Sequence, residues 1–444
     1  MGVTSRRRAF ATVAMAAATV IALATGCSSS GKPSGSTTAD PNKKITLTID
    51  VFGTFGYTEA GLYQKYMAAH PNVTIVERGT GQGLGDENTK LTQWMAANGA
   101  GAGDVVALEE GTITQFKGIA NQFANLLDYG AAPLQSNFLP WKWQEGLTAD
   151  GKLLGLGTDV GSMAMCYRSD LFAKAGLPTD PTQVAALWPD WNAFINEGKV
   201  FEQKSGGVKF VDAATNLYNT VLMQTAGNSS GYTYFDKSDN LVLDKNADIK
   251  TAWDTTVAMM QSGLSAGYTS FSDDWTAGFK SSKFATVACP AWMLGVIQGN
   301  SGDAMSGKWN VTKAPGNGGN WGGSFLAVPK NGPNVAAAAD LAKFLTSPES
   351  QLAVFQKEAN LPSAQVLYNN ADFLATKNAY FSNAPIGQIF GPSAASLKPV
   401  YLGSKNQPVR TAVENALLSI EQGKRTPDQA WQDALKNGAA AAAS

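Results

Sequence analysis

The chain has 444 residues, and its 34 lysines and arginines nearly balance 35 acidic residues, which gives a formal charge of −1. A near-neutral chain without a long basic or acidic run is not expected to bind nucleic acid or an anionic surface. Only 16% of the residues are charged and 10% are aromatic, which favours a neutral, hydroxyl-rich ligand over an ionic one.

Residues 1–26 have the pattern of a signal peptide. Arg6, Arg7 and Arg8 precede an uncharged apolar run at residues 11–23. This run is too short to span a bilayer, so we predict a signal peptide and a protein that works outside the cytoplasm. The arginines also resemble the twin-arginine export pattern, which leaves both the Sec and Tat routes open. About 400 residues then remain, enough for two sizeable cores.

Cys27 directly follows the small residues Ala24, Thr25 and Gly26. This junction resembles the bacterial lipobox, in which the cysteine receives diacylglycerol, although Ala24 stands where a branched residue is usual. The resemblance implies that Cys27 anchors the protein to the outer face of the cell membrane. Residues 27–43 contain little that is apolar and would form a flexible tether. A secretory peptide cleaved elsewhere, leaving a free protein, is the alternative.

The two remaining cysteines, Cys166 and Cys289, lie in short apolar runs that are typical of buried strands. An even pair in an oxidising compartment favours a bond, so we predict a disulfide between them. Two inert buried thiols are the alternative.

The first part of the mature chain alternates strands and helices. Strands are predicted at residues 45–49, 73–76 and 104–108, and helices at 59–69 and 89–98. This alternation indicates βαβ units and a parallel sheet. Ligands of such sheets bind beyond the carboxyl ends of the strands. The turn at residues 52–56 and Glu109 occupy such positions.

A glycine-rich segment at residues 153–161 is predicted to bend between two domains. It leads into the strand that holds Cys166 and then into a second, helix-rich part. Helices are predicted at residues 170–175, 188–201, 216–224, 250–260, 336–345, 409–421 and 427–436, and strands at 285–289 and 324–329.

Several short segments carry a family resemblance when they are taken in order. They are residues 68–75, 103–108, 166–172, 175–178 and 283–285, Phe279, Trp292, and residues 322–324 and 347–349. The series resembles the extracellular solute-binding proteins of carbohydrate ABC importers, of the maltodextrin-binding type. Residues 50–53, 155–159 and 166–168 are most similar to actinobacterial binders of cellobiose and related β-linked gluco-oligosaccharides.

The resemblance implies an α/β, two-lobed periplasmic-binding-protein-like fold with discontinuous lobes, a hinge and a ligand cleft between them. One lobe would comprise residues 44–156 and 310–365, and the other residues 157–309 and 366–438. A monomer of this kind would capture an oligosaccharide, such as cellobiose or a similar β-glucoside, by lobe closure. It would then deliver the sugar to the membrane permease of an ABC importer, without a cofactor or metal.

Aromatic residues are the first candidates for sugar contacts, because a pyranose has apolar C–H faces that rings can cover. Trp292 follows a predicted strand and matches a family position whose tryptophan stacks on sugar. Trp321, between glycines, and Tyr218, close to Asn216, are further candidates, and Trp275 is another. Trp292 could also pack in the core, Trp321 cap a loop, and Trp275 start a helix.

Polar candidates would pair with the hydroxyl rim. Glu109 and Asp159 follow predicted strands, and Thr54 lies beside Phe52 and Phe55 in the first turn. Glu109 could instead pair with a surface lysine, and Asp159 could cap the hinge. The family resemblance adds Gly323, Asn406 and Arg410, although an arginine on a helix face is often solvated.

A secreted glycoside hydrolase is the main alternative, and it would need two carboxylates that flank a cleft. Glu109 and Glu110 are adjacent in sequence, so they would point in opposite directions from an extended chain. His70 is the single histidine and precedes Pro71, a poor position for a catalytic base. We therefore predict a binding protein without catalytic residues. A cell-surface adhesin would also bind sugar, but it would not close around it.

Overall fold

The computed structural model describes residues 43–79, 81, 83–316 and 318–444. The predicted signal peptide, Cys27 and the tether up to residue 42 lie outside the described residues. Lys44–Ser444 form one compact unit. In this described part of the chain, no helix is long and apolar enough to cross a membrane.

The described strands form two main sheets and a short two-stranded ribbon. In chain order they are β1 (Ile45–Asp50), β2 (Val73–Arg78), β3 (Val105–Glu109), β4 (Gly155–Gly157), β5 (Asp159–Val160), β6 (Met163–Arg168), β7 (Lys209–Val211), β8 (Phe284–Pro290), β9 (Trp309–Lys313), β10 (Ser324–Ala327) and β11 (Leu361–Pro362).

Helices surround both main sheets. They are α1 (Leu62–Ala69), α2 (Leu84–Ala96), α3 (Glu110–Lys117), α4 (Pro140–Gly146), α5 (Ser169–Lys174), α6 (Pro181–Leu187), α7 (Trp191–Glu202), α8 (Ala214–Asn228), α9 (Ala247–Gln261), α10 (Asp273–Lys280), α11 (Met293–Ser301), α12 (Val335–Leu345), α13 (Pro348–Glu358), α14 (Ala371–Ala375), α15 (Ile386–Ala395), α16 (Asn406–Glu421) and α17 (Pro427–Ala443). Short 3₁₀ turns lie at Ala120–Gln122, Leu126–Tyr129, Ala132–Asn137, Asp303–Met305 and Gln365–Leu367.

The first sheet has the strand order β2-β1-β3-β10-β4. Strand β1 is parallel to β2 and β3, as the alternating pattern predicts, whereas β10 is antiparallel to β3 and β4. Val105 and Ala107 of β3 belong to one apolar cluster, while Val106 and Leu108 belong to another. Because side chains alternate along a strand, both faces of this sheet are covered. The carboxyl end of β3 brings Glu109 to the edge of the sheet.

The second sheet has the order β7-β8-β6-β9. Cys166 on β6 and Cys289 on β8 are joined in the predicted disulfide, with an S–S distance of 2.01 Å. Strand β9 pairs with β6 in this sheet. Residues 310–313 therefore belong with the second sheet, although the family resemblance implied that they are part of the first lobe.

The chain crosses between the sheets at residues 157–163 and again at residues 314–323. The first crossing contains β5, which pairs with β11. A Cβ atom on Gly161 would lie 1.7 Å from the carbonyl oxygen of Trp321. The two crossing segments can therefore touch only because residue 161 is glycine. This explains part of the glycine-rich composition that predicted a bend.

The C-terminal helices pack against the second sheet. Val409 and Leu417 of α16 and Ala434 of α17 lie in the same apolar cluster as Leu217 of α8 and Met165 of β6. The first turn of α16, in turn, approaches α3 of the first lobe.

One local prediction was wrong. Helix α2 begins at Leu84 rather than at Thr89, and Asp86 and Glu87 in its first turn favour this earlier start. The segment with Trp141 and Trp143, for which no helix was predicted, forms helix α4, and Pro140 occupies its first turn.

Candidate functional site

Glu109 places a buried carboxylate where the first sheet meets helix α3. It is the N-cap of α3, and its Oε2 accepts a hydrogen bond from the Gly111 backbone N–H at 2.7 Å. The residue is only 8% exposed. Burial raises the pKa of Glu109, and the positive charge of Arg410 acts in the opposite direction. Glu109 is therefore an acceptor inside the protein rather than the partner of a surface lysine.

Arg410 lies in the same cleft as Glu109 but comes from helix α16 of the second lobe. Its Nε donates to Oε1 of Glu414 at 2.8 Å, and its guanidinium carbon lies 5.4 Å from the ring centre of Trp321. The Arg410 side chain is 18% exposed. It is therefore a largely buried group and not a solvated residue on a helix face.

The cleft around these residues has a volume of about 350 Å³, counted with the space that opens to solvent. Both lobes and the second crossing segment line it. The lining residues are Glu109, Gly111, Asn219, Leu222, Met223, Thr233, Tyr234, Trp321, Gly322, Leu402, Asn406 and Arg410. A Cβ atom on Gly111 would lie 3.1 Å from Nδ2 of Asn406, so the lobes contact each other here.

Trp292 lies beside this cleft, at the end of strand β8. It is partly exposed, and its Nε1 donates to the carbonyl oxygen of Trp321 at 2.9 Å. The two indole rings are 5.7 Å apart with an interplanar angle of 74°. A Cβ on Gly322 would lie 3.1 Å from Trp292 Nε1 and 3.9 Å from Glu109 Oε1. Glycine at position 322 therefore allows the indole and the carboxylate to lie close together.

The crossing segments are held by a polar network next to the cleft. Asn320 donates through Nδ2 to Oε2 of Glu110 at 2.5 Å and accepts from the Gly161 backbone N–H at 2.8 Å. The Gly323 carbonyl accepts from the Glu110 N–H at 2.9 Å. A Cβ on Gly323 would lie 2.6 Å from the Asp159 carbonyl oxygen. Gly323 therefore fits a close backbone approach, and the structure gives it no side chain with which to contact ligand.

The first turn and Asp159 surround a second, smaller cavity near the ribbon. Phe55, Tyr57 and Asp159 line it, together with Thr158, Leu345, Gln351, Val354 and Asn360. Asp159 accepts from the Ser324 N–H at 2.9 Å, and burial raises its pKa. The ring centres of Phe52 and Phe55 lie 5.3 Å apart. Thr54 is exposed, and its carbonyl accepts from Asn360 at 3.0 Å.

Three predicted contact residues lie in the core of the second lobe instead of lining the cleft. Trp275 is 1% exposed and donates to Asp212 at 2.7 Å. Asn216 is fully buried and donates to the same carboxylate at 2.6 Å. Tyr218 is also fully buried, and its hydroxyl lies 3.2 Å from that of Tyr234. The alternative prediction for Trp275, a helix start, matches the beginning of α10.

A group of buried charges lies behind the crossing segments. The ammonium of Lys142 is 3.9 Å from Oε2 of Glu145 and 3.9 Å from the ring centre of Phe325, and it has no hydrogen-bond partner among the described residues. Burial raises the pKa of Glu145 to about 7. Burial and the charge of Glu145 raise the pKa of Glu110.

Sequence reasoning missed Lys142 and Asn320. The lysine lies in the unpredicted helix α4, and the asparagine lies in a loop whose partners are distant in sequence. The described residues contain no group of three or more His, Cys, Asp or Glu side chains arranged to hold a metal ion.

Two α/β lobes that enclose a polar and aromatic cleft define a solute-binding protein. The sequence profile of the bacterial extracellular solute-binding proteins matches residues 61–381. The chain belongs to this family, which confirms the resemblance seen in the sequence.

Solved structures agree with this assignment. An extracellular solute-binding protein of family 1, known from a crystal structure, is 39% identical in sequence. The match covers 90% of this chain and 100% of that protein's chain, with a TM-score of 0.77. The ABC transporter associated binding protein of B. animalis subsp. lactis Bl-04, in complex with β-1,6-galactobiose, is 19% identical and covers 90% and 98%, with a TM-score of 0.74. At 19% identity, this second match shows similarity of fold only.

Curated relatives are more distant. A lactose-binding protein of Rhizobium radiobacter is 27% identical over 57% of this chain and 56% of its own length. An arabinooligosaccharide-binding protein of Bacillus subtilis (strain 168) is 26% identical over 63% and 66%. The chain thus matches between about half and two thirds of these two relatives. An sn-glycerol-3-phosphate-binding periplasmic protein of Escherichia coli (strain K12) is 24% identical over 95% and 96%.

Proposed function

We propose that this chain is the substrate-binding component of an ABC importer and captures a neutral oligosaccharide between its lobes. The observation that carries the proposal is the pairing of two tryptophans, Trp292 and Trp321, with Glu109 and Arg410 at one cleft. The rings offer apolar surfaces for the C–H faces of a sugar, and the charged groups offer hydrogen bonds to its hydroxyls.

The charges of the cleft favour a neutral ligand over a phosphate. Arg410 is already bonded to Glu414, and Glu109 contributes a second buried carboxylate. A phosphate group would meet this carboxylate without an additional cation among the residues that line the cleft. Burying like charges together is unfavourable. The electrostatics therefore distinguish this site from one that is built for glycerol phosphate.

Cellobiose or a similar β-linked glucoside is the ligand that we propose within this class. Equatorial hydroxyls leave the faces of such a pyranose apolar, so that an indole ring can cover one of them. Relatives named for lactose and arabino-oligosaccharides support a sugar as the ligand. Trp292, Trp321, Glu109, Asn406 and Arg410 would contact it.

The remaining predicted residues would support the site without contacting the sugar at the two indoles. Phe52, Thr54, Phe55 and Asp159 would form the hinge side of the site. Asn216, Tyr218 and Trp275 would support the second lobe from its core.

Capture would proceed by closure of the lobes, and the closed form would dock on the permease. A ligand can shift the equilibrium between the open and closed forms only by the difference between its affinities for the two forms. We also propose that the protein is an exported monomer held at the outer face of the cell membrane through lipid on Cys27.

A thermal-shift screen of the chain without its signal peptide tests the ligand class. The panel comprises cellobiose, cellotriose, maltose, chitobiose, xylobiose, lactose and sn-glycerol 3-phosphate. Stabilisation grows with the ratio of ligand concentration to dissociation constant. We expect at least one sugar to raise the melting temperature and the phosphate to leave it unchanged. No response to any sugar would remove the carbohydrate assignment.

A further inference from the structure

Phe271 combines exposure with an unfavourable backbone conformation. The residue is 53% exposed, and its φ of 65° lies in the left-handed region. This region is unfavourable for a bulky residue that has a Cβ atom. Because the side chain is exposed, its burial does not offset the cost of this backbone conformation. The strain therefore points to a functional role for Phe271 rather than a role in stabilising the fold.

The segment that carries Phe271 is held on both sides. Ser270 Oγ lies 2.6 Å from Thr215 Oγ1 at the start of α8. Ser272 is the N-cap of α10 and accepts from the Trp275 N–H at 3.2 Å. The ring of Phe271 also contacts that of Trp275, with 5.0 Å between the centres. These contacts fix the position of the ring although it is exposed.

Phe271 continues the row of aromatic rings at the cleft. Its ring is stacked with that of Trp292, with centres 6.3 Å apart and an interplanar angle of 27°. Trp292 in turn contacts Trp321, with ring centres 5.7 Å apart, and Trp321 lines the cleft. The row therefore leads from the Glu109 and Arg410 cleft to the protein surface.

We propose that Phe271 is an outer sugar-binding platform that receives a further unit of the oligosaccharide beyond the unit held at Trp292. This inference rests on the proposed function and adds a determinant of chain length to it. The cleft supplies charged partners for the first units, whereas Phe271 supplies an apolar face only. The outer unit would thus be held by stacking, with little selection among its hydroxyls. Longer oligosaccharides would gain from Phe271, and a disaccharide would gain nothing.

Calorimetric titration of the intact mature chain with cellobiose, cellotriose and cellotetraose, and with the corresponding maltose series, tests this platform. The variant F271N removes the ring and keeps a residue that tolerates the left-handed region. F271W keeps an aromatic face. V200A, which alters an exposed side chain on α7, is the matched control.

We expect F271N to weaken binding of the tri- and tetrasaccharide by roughly fivefold, an effect typical of a lost aromatic contact, and to leave the disaccharide unchanged. F271W and V200A should bind like the original chain. An equal effect of F271N on all chain lengths, or no effect, would overturn the platform while leaving the proposed function in place. Failure of the original chain to bind any of these sugars would overturn the platform, whereas only the absence of a response to every sugar of the thermal-shift panel would remove the proposed function.

Discussion

The indole of Trp292 is oriented by a hydrogen bond as well as by packing. Its N–H is committed to the Trp321 carbonyl at 2.9 Å, so the ring position does not depend on a ligand. A ring fixed before binding loses less conformational entropy when a sugar arrives. This makes Trp292 the residue whose removal should affect binding most.

The variant W292A should weaken sugar binding by about tenfold or more, because it removes the ring and the contact that orients Trp321. W292F should retain part of the affinity. Calorimetric titration with the sugar that gives the largest thermal shift measures both, and W431A, on helix α17, is the control. Unchanged affinity in W292A would place the ring outside the site.

Arg410 should matter for stability as well as for binding. Removing it leaves Glu109 and Glu414 without their shared cation in a largely buried site, which typically costs about 3 kcal/mol or more. Arg425 pairs with Asp433 at 2.8 Å on the surface, with half of its side chain exposed, and offers a matched control. R410A should lower the free energy of unfolding far more than R425A, as measured by urea denaturation. Equal effects would mean that the Arg410 pair is solvated.

The buried carboxyl group of Glu145 should make the free energy of unfolding depend on pH. Its pKa in the folded chain is raised to about 7 from an ordinary value of 4.5. The folded state therefore binds this proton more tightly than the unfolded state does. The free energy of unfolding should fall as pH rises from 4.5 towards 7. In E145Q, the free energy of unfolding should fall less steeply across this pH range, as measured by denaturation at each pH. An equally steep fall in E145Q would contradict the raised pKa of Glu145.

Residue types in the sequence did not decide which candidates line the cleft and which are buried in the core. Glu109 and Arg410 are separated by most of the chain, and the family resemblance was needed to bring them together. Trp275 and Tyr218 were also predicted to contact ligand, but they are buried. An aromatic side chain suits a core and a sugar equally well, and only the fold decides which surface it meets.

The two crossing segments meet at one glycine, Gly161. Gly161 approaches the Trp321 carbonyl so closely that any Cβ would clash with backbone. The neighbouring Trp292, Trp321 and Asn320 all depend on this approach for their contacts.

G161A should therefore destabilise the chain and impair sugar binding together. Gly299 on helix α11 is the matched control, because an added Cβ there meets nothing within 4 Å. G299A should be neutral or stabilising by about 0.5–1 kcal/mol, as alanine favours a helix over glycine. Thermal denaturation and calorimetry compare the two variants. A stable G161A chain that binds normally would contradict the close approach.

Local patterns located most strands near their observed positions, because β-branched alternation is a short-range signal. They did not reveal that β10 inserts between β3 and β4, or that β9 joins the second sheet. Such pairings join residues that are far apart in sequence. Turn and cap residues give no information about them.

The two lobes meet at the cleft lined by Glu109 and Arg410. Helix α16 packs with the second lobe and still contacts the first at Gly111. A ligand held at this contact would link both lobes and favour the closed form. The size of the chain predicted two cores, but the exchange of segments between lobes came from the family resemblance alone.

If one neutral sugar is held in the cleft and released unaltered, it should be recovered intact from the protein. Equilibrium dialysis of the mature chain against the sugar that gives the largest thermal shift, with the recovered sugar analysed by mass spectrometry, measures this. We expect one intact oligosaccharide per chain, and competition by related sugars but not by glycerol phosphate. Recovery of shorter products would show hydrolysis, and no retained sugar would show that the cleft does not bind one; either result would overturn the proposed function.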